Sequence, residues 1–350
     1  MRFSNSDTEI ESIQLPFPDR VSQFSPLPAR VLRKNRDGRR TNVFGGVAFL
    51  GKPLPKRQSE FMRRRHFIAA TASVPGLLQA AQTNSIPNRL AATDWTIGGR
   101  GKLEAFDLAI AAKLDGLQIS FQPEPDTGKG EYDLRTEAGV EAVLEKSEGT
   151  GIGIASTAMG VFNSHPFKEI PQATEWARAG IDATRALGRD VMLLAFFGKN
   201  DLKNDEAGTA ETIRRLKDVA PHAEERGVTL GLETTLDLAE HLHIIESVGS
   251  PAVQVYYDLG NSKGNGYPTY EEIRQLGSEM ICEVHCKDKA GWLFGSGEVD
   301  FAKALAVLRE IGYEDWFVLE GRPGEGLDAL ETLRRNGDYL AEIGYVRERK

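Results

Sequence analysis

From residue 92 onward, hydrophobic and polar positions fall into two alternating patterns. Short runs rich in β-branched and aromatic residues alternate with longer runs whose apolar residues recur three and four apart. This predicts strands joined by crossover helices, and so a parallel sheet. Eight strands are expected: Thr93–Gly98, Gly116–Phe121, Gly153–Ala158, Val191–Phe197, Thr229–Thr234, Val253–Asp258, Ile281–Lys287 and Trp316–Glu320. The helical runs are Leu103–Leu114, Thr136–Ser147, Pro171–Leu187, Thr209–Arg226, Leu236–Val248, Tyr270–Leu276, Phe301–Ile311 and Gly326–Ile343. Gly188, Gly227, Gly249 and Gly312 stand where helix ends need a left-handed residue. A polar stretch, Pro123–Arg135, precedes the second helix and is expected to frame a substrate mouth. Eight βα units in about 255 residues fit one closed (β/α)8 TIM barrel, a single α/β domain over residues 92–345. A doubly wound sheet would want a glycine-rich phosphate turn after the first strand, and Gly98-Gly99-Arg100-Gly101 matches that fingerprint poorly.

The first eighty residues read differently. Residues 1–61 are rich in Pro, Arg, Ser and Gly with no sustained period, so they are expected to be disordered or a mis-annotated extension of the reading frame. Met62 then opens a basic segment, Arg63-Arg64-Arg65, followed by a short apolar stretch to about Leu78 and a small-residue zone at Ala80-Ala81. That is the layout of an export signal over residues 62–81. The apolar run is shorter than the roughly 20 residues a membrane span needs, so no stable membrane insertion is expected. Arg64-Arg65-His66-Phe67-Ile68 resembles a twin-arginine (Tat) signal. The resemblance implies a periplasmic or other extracytoplasmic protein, with Met62 as its start.

Charge narrows the partners. The chain carries −8; residues 1–61 contribute +5 and Arg63–Arg65 another +3, so residues 82–350 carry −16. A domain that acidic should repel nucleic acid, because phosphate binding needs clustered Lys and Arg. A small neutral substrate is easier to reconcile with it, and a homo-oligomer is compatible. Cys282 and Cys286 lie four apart on one expected strand. Their Cα atoms would be roughly 13 Å apart at about 3.3 Å per residue, too far for a disulfide. They are expected to be two buried thiols.

Chemistry in a barrel gathers at the C-terminal strand ends. Glu233, Asp258, His285 and Glu320 end four consecutive expected strands, each after a run that favours burial. Burying four ionisable groups together costs several kcal/mol unless something compensates. One divalent cation is the natural compensator. Three carboxylates and an imidazole form a hard donor set, which places Mn²⁺ first, with Mg²⁺, Co²⁺ or Zn²⁺ as alternatives. Side-chain alternation turns Gly231, Tyr256, Glu283 and Val318 inward one layer below, and Leu232, Tyr257, Val284, Cys286 and Leu319 outward. Glu283, a carboxylate inside the barrel, should bond Tyr256 or a cation such as Lys287. Trp95, Phe121 and Phe197 are candidate apolar walls or core residues, and Trp316 a core residue.

These pieces resemble the xylose isomerase-like barrel superfamily of sugar isomerases and epimerases. The matching stretches are Gly231-Leu232-Glu233, Tyr257-Asp258-Leu259-Gly260-Asn261, Val284-His285-Cys286-Lys287-Asp288, Gly295-Ser296-Gly297-Glu298-Val299-Asp300-Phe301 and Gly312 to Glu320. Ketose 3-epimerases of that group carry His where this chain has Asn261, an acid where it has Ala239, and Arg where it has Gly291. A free-ketose 3-epimerase is therefore not implied. The superfamily's DNA-repair endonucleases hold three zinc ions with several histidines, and the six here are too few and too scattered.

The resemblance implies proton transfer next to a carbonyl through an enediolate, with Glu233 and Glu320 as base and acid and a carbohydrate as substrate. Isomerisation, epimerisation and dehydration all remain open. His165, Lys287 and Asn261 are the candidate substrate contacts. A metal-dependent lyase or hydrolase on a sugar derivative, and a non-catalytic sugar-binding barrel, are the rival readings.

Overall fold

The computed structural model describes residues 89–124, 130–290 and 292–345. The expected disordered stretch and the expected export signal lie outside them, as does part of the expected mouth loop. Eight parallel strands close into a barrel in sequence order, β8 pairing with β1. They are β1 (Leu90–Thr93), β2 (Gly116–Ser120), β3 (Gly153–Met159), β4 (Val191–Phe196), β5 (Thr229–Thr234), β6 (Val253–Asp258), β7 (Ile281–Cys286) and β8 (Phe317–Leu319). The helices are α1 (Glu104–Ala111), α2 (Glu137–Thr150), α3 (Ala173–Ala186), α4 (Glu206–Arg226), α5 (Leu238–Val248), α6 (Leu259–Gly264), α7 (Thr269–Met280), α8 (Phe301–Glu310) and α9 (Ala329–Glu342). Among the described residues no helix is long and apolar enough to cross a membrane.

The expected helices are present, and Gly188, Gly227, Gly249 and Gly312 all take positive φ, between 64° and 74°. Gly277 breaks the regular geometry of α7 at φ 64° and ψ 174°, so its regular part ends near Leu276.

Three features depart from the expected pattern. The first strand is not Thr93–Gly98 but Leu90–Thr93. Thr93-Asp94-Trp95-Thr96-Ile97 alternates like a strand, yet Asp94 folds it into a turn. Asp94 Oδ2 accepts from Gly101 N and Ser120 N, and the Thr93 carbonyl accepts from Thr96 N and Ile97 N. Secondly, α6 is an added short helix. The Asp258 side chain starts it, Oδ1 accepting from Asn261 N at 2.6 Å. Thirdly, the pairing of β6 with β7 skips a residue: Val255 faces Ile281 but Tyr256 faces Glu283. This bulge carries Cys282 into the barrel interior beside Tyr256, where strict alternation would turn it outward.

The core has two parts, as a barrel requires. Leu232, Tyr257, Val284, Cys286 and Leu319 join the layer between strands and helices, while Tyr256 and Val318 pack inside the barrel. Both cysteines are buried free thiols. Trp316 precedes β8 rather than opening it and plugs the barrel floor with Ala91, Ala155 and Val318. Gly116 makes room for it: a Cβ there would lie 2.6 Å from the indole. Phe121 belongs to the outer core, whereas Trp95 and Phe197 pack on the inner residues.

Candidate metal centre

Parallel strands in register bring the four strand-end residues to one level. Glu233 is the penultimate residue of β5, Asp258 ends β6 opposite His285 on β7, and Glu320 follows β8. Each offers a ligand atom, and these atoms all lie within 4.8 Å of one another. His285 Nδ1 faces all three carboxylates, at 3.1 Å from Glu233 Oε1, 3.5 Å from Glu320 Oε2 and 3.7 Å from Asp258 Oδ2. Glu233, Asp258 and His285 are buried, and Glu320 is partly open to the mouth.

The donor set fits a divalent ion. Asp258 spends Oδ1 on the start of α6, leaving Oδ2 buried and facing the cluster, where the Lys287 ammonium is its near neighbour. Three carboxylates around one point repel one another, so the arrangement needs cations. Lys287 supplies one. Its ammonium is paired with Glu320 Oε2 and lies 2.8 Å from Asp258 Oδ2 and 4.0 Å from Glu233 Oε1. Three negative charges less one leave two, the charge of a divalent ion.

The electrostatics of the metal-free cluster follow from this crowding. Burial pushes the Glu233 carboxyl up to about 7, and the nearby Glu320 charge adds to the effect against the pull of His285 and Lys287. Burial also works against ionising Glu320, but Lys287 and His285 outweigh it and hold that carboxyl down. Burial disfavours a charged His285, and Glu233 and Glu320 reverse this, raising its pKa.

The expected substrate contacts fare differently. Lys287 lies inside the cluster. Asn261 is buried on α6 and donates from Nδ2 to Glu233 Oε1 at 3.1 Å. His165 is exposed beyond β3, 3.0 Å from Ser164 Oγ and edge-on to Trp176; none of its contacts among the described residues reaches the cluster. Trp95 does reach it, donating from Nε1 to Glu320 Oε1 at 3.2 Å. Gln118 and Ser156 are buried polar residues that pattern reading passed over. Their signal is visible: Gly116-Leu117-Gln118-Ile119-Ser120 places an amide in mid-strand, where a buried parallel strand prefers an apolar side chain.

A family model described as xylose isomerase-like TIM barrel matches residues 106–346. The chain belongs to the xylose isomerase-like TIM barrel family. Within that family its curated relatives include 2-epi-5-epi-valiolone 7-phosphate 2-epimerase of Actinoplanes sp., 25% identical over 63% of this chain and 82% of the relative. They also include L-ribulose-5-phosphate 3-epimerase UlaE of Escherichia coli, 28% identical over 70% of this chain and 92% of the relative. Among solved structures, an L-ribulose 3-epimerase superposes with a TM-score of 0.60 at 19% identity, covering 75% of this chain and all of that one. A 3-keto-D-glucoside 4-epimerase from E. coli superposes equally well, at 0.60, with 16% identity, covering 73% of this chain and 99% of that one. The structural likenesses show the same barrel fold. Glu233, Asp258, His285 and Glu320 form a candidate metal cluster at the place where a barrel of this kind does its chemistry.

Proposed function

We propose that this protein is a divalent-metal-dependent isomerase or epimerase that moves a proton at the carbon next to a carbonyl of a sugar or sugar derivative. The observation that carries the reading is the convergence of four ligand atoms within 4.8 Å at the open end of the barrel. Epimerases recur among the relatives by sequence and by fold. Glu233, Asp258, His285 and Glu320 would hold the ion, with Mn²⁺ the preferred occupant. A divalent ion there supplies Lewis-acid polarisation of the substrate carbonyl and neutralises developing negative charge.

The chain's own groups do the rest. One of Glu233 and Glu320 takes the carbon proton and the other returns one. Return to the opposite face of the same carbon epimerises it, and return to its neighbour isomerises the sugar. Asn261 and Trp95 each donate to one of these carboxylates and fix where its oxygens point. Lys287 keeps Glu320 ionised and stands beside the place of a substrate oxygen. Trp95 and Phe197 supply an apolar wall at the mouth that keeps water from the enediolate. His165 would reach only the outer end of a longer substrate. We also propose export through residues 62–81, which detection of the chain outside the cytoplasm, dependent on Arg64-Arg65, would test.

The function is tested in two steps. Elemental analysis of the parent, Glu233→Gln and His285→Ala should find about one divalent ion per chain in the parent only. The loaded parent, screened in D₂O against aldoses, ketoses and keto-sugars, should place deuterium on carbon for one of them. Metal without exchange, but with loss of water or a cleaved product, would replace this reading by a lyase or hydrolase. No metal after reconstitution would leave a sugar-binding barrel.

A further inference from the structure

Beneath the metal cluster lies a chain of polar groups wholly inside the barrel. His285 Nε2 is 3.0 Å from Gln118 Oε1. Gln118 Nε2 donates to Ser156 Oγ at 2.9 Å and to Tyr256 OH at 2.8 Å. Both hydroxyls donate onward to one oxygen, Glu283 Oε2, each at 2.6 Å. Gln118, Ser156, Glu283 and His285 are 0% exposed and Tyr256 1%, so the chain of groups is closed off from bulk solvent.

Each link has a direction that donor and acceptor chemistry dictates. A hydroxyl has one proton to give. Ser156 and Tyr256 both commit theirs to Glu283, so toward Gln118 they can only accept. The amide must then present its NH₂ to them and its carbonyl oxygen to His285. A carbonyl oxygen can only accept, so the ring must carry a proton on Nε2. That leaves Nδ1, which faces Glu233, Asp258 and Glu320, as the nitrogen with a lone pair for a metal. The two ends of the chain agree in space: Nε2 meets Gln118 at 3.0 Å while Nδ1 is the nitrogen turned to the three carboxylates.

We propose that Gln118 is a positioning residue for the metal centre. Through Ser156, Tyr256 and Glu283 it holds His285 in the one tautomer and ring orientation that offers Nδ1 to the ion. The inference rests on the metal reading above but not on any particular substrate. A metal-bound imidazole gains both orientation and basicity from an acceptor on its second nitrogen. Here the acceptor is itself aligned by the Glu283 carboxyl, one layer beneath His285 on β7.

Two variants test it in the full chain, with metal affinity measured by competition against a chelator. Gln118→Leu removes the acceptor and should raise the Kd for Mn²⁺ or Zn²⁺ by about 10–100-fold. The double exchange Gln118→Glu with Glu283→Gln reverses the amide and the carboxylate. The hydroxyls then donate upward, the new carboxylate accepts from Nε2, and affinity should return to the parent's value or exceed it. This rescue is not expected of a residue that merely fills space. In the Zn²⁺-loaded parent, the long-range proton–nitrogen spectrum of His285 should show the proton on Nε2. Parent-like affinity of Gln118→Leu, failure of the exchange to restore binding, or a proton on Nδ1 would each overturn the assignment. If Gln118→Leu does not fold, the exchange variant and the parent spectrum still decide. A parent that binds no metal would overturn both this inference and the reading beneath it; a parent that binds metal indifferently to position 118 would overturn this one alone.

Discussion

Lys287→Met removes the ammonium that faces three carboxylates at the barrel mouth, in contact with Asp258 at 2.8 Å and paired with Glu320. Met matches the apolar length of the side chain, so the main loss is charge. Removing one partner of a buried ion pair costs about 3–5 kcal/mol, because the remaining charges stay desolvated. Glu320 is 18% exposed and Lys287 11%, which places the cost near the lower end of that range. A barrel of this size shifts its melting temperature by about 2–4 °C per kcal/mol. The metal-free variant should therefore melt roughly 6–12 °C below the parent. A divalent ion relieves the same repulsion, so it should recover more in the variant than in the parent. At a metal concentration of about 100 times Kd, binding itself contributes about 2.7 kcal/mol. Differential scanning calorimetry of both chains, with chelator and with saturating Mn²⁺, measures these differences. The reasoning is refuted if the metal-free chains melt within about 2 °C of each other, or if the ion raises both by the same amount.

Two further outcomes follow from the site's surroundings. Gly231→Ala would place a Cβ 2.7 Å from Cys282 Sγ and 3.0 Å from Tyr256 Cβ, one layer beneath Glu233; it should cost about 1–3 kcal/mol and lower metal affinity, and unchanged denaturant midpoints would contradict it. His241 is buried, and that burial lowers its pKa to about 4, against about 6.5 in an unfolded chain. The unfolded state therefore binds the proton first, so stability is full above about pH 6.5 and falls by roughly 3 kcal/mol as the pH drops through 4. His241→Gln should flatten the melting temperature over that window, whereas parallel curves for the two chains would rule the linkage out.

The barrel was legible because its pattern is local. Strands and helices differ in period, glycines close the helices, and eight such units can form one closed sheet. The first strand was misplaced because Thr93 to Ile97 alternates as a strand does. Only the long-range bonds from Ser120 N and Gly101 N to Asp94 make it a turn. The four ligand candidates were legible for a similar reason: each carboxylate or imidazole interrupts a run that otherwise favours burial, at the strand end where barrels keep their chemistry.

What the amino-acid order determined alone was therefore the architecture, the acidic character of the barrel and the identity of four convergent residues. Tertiary structure decided the partners. Lys287 reads from the sequence as a candidate substrate contact, and strand register sets its ammonium among the carboxylates. Asn261 reads as a candidate substrate contact, and Asp258 starts a short helix that also turns its amide onto Glu233. Cys282 enters the barrel only because a bulge adds a residue to β7. Gln118 acquires a role only when closure of the barrel sets β2 across from β6 and β7, bringing residues 138 and 167 positions away in the chain within hydrogen-bond reach. Periodicity reports which face of an element is buried. Which polar groups share that buried space depends on register, bulges and closure, and the free energy of those contacts is set between elements rather than along any one of them.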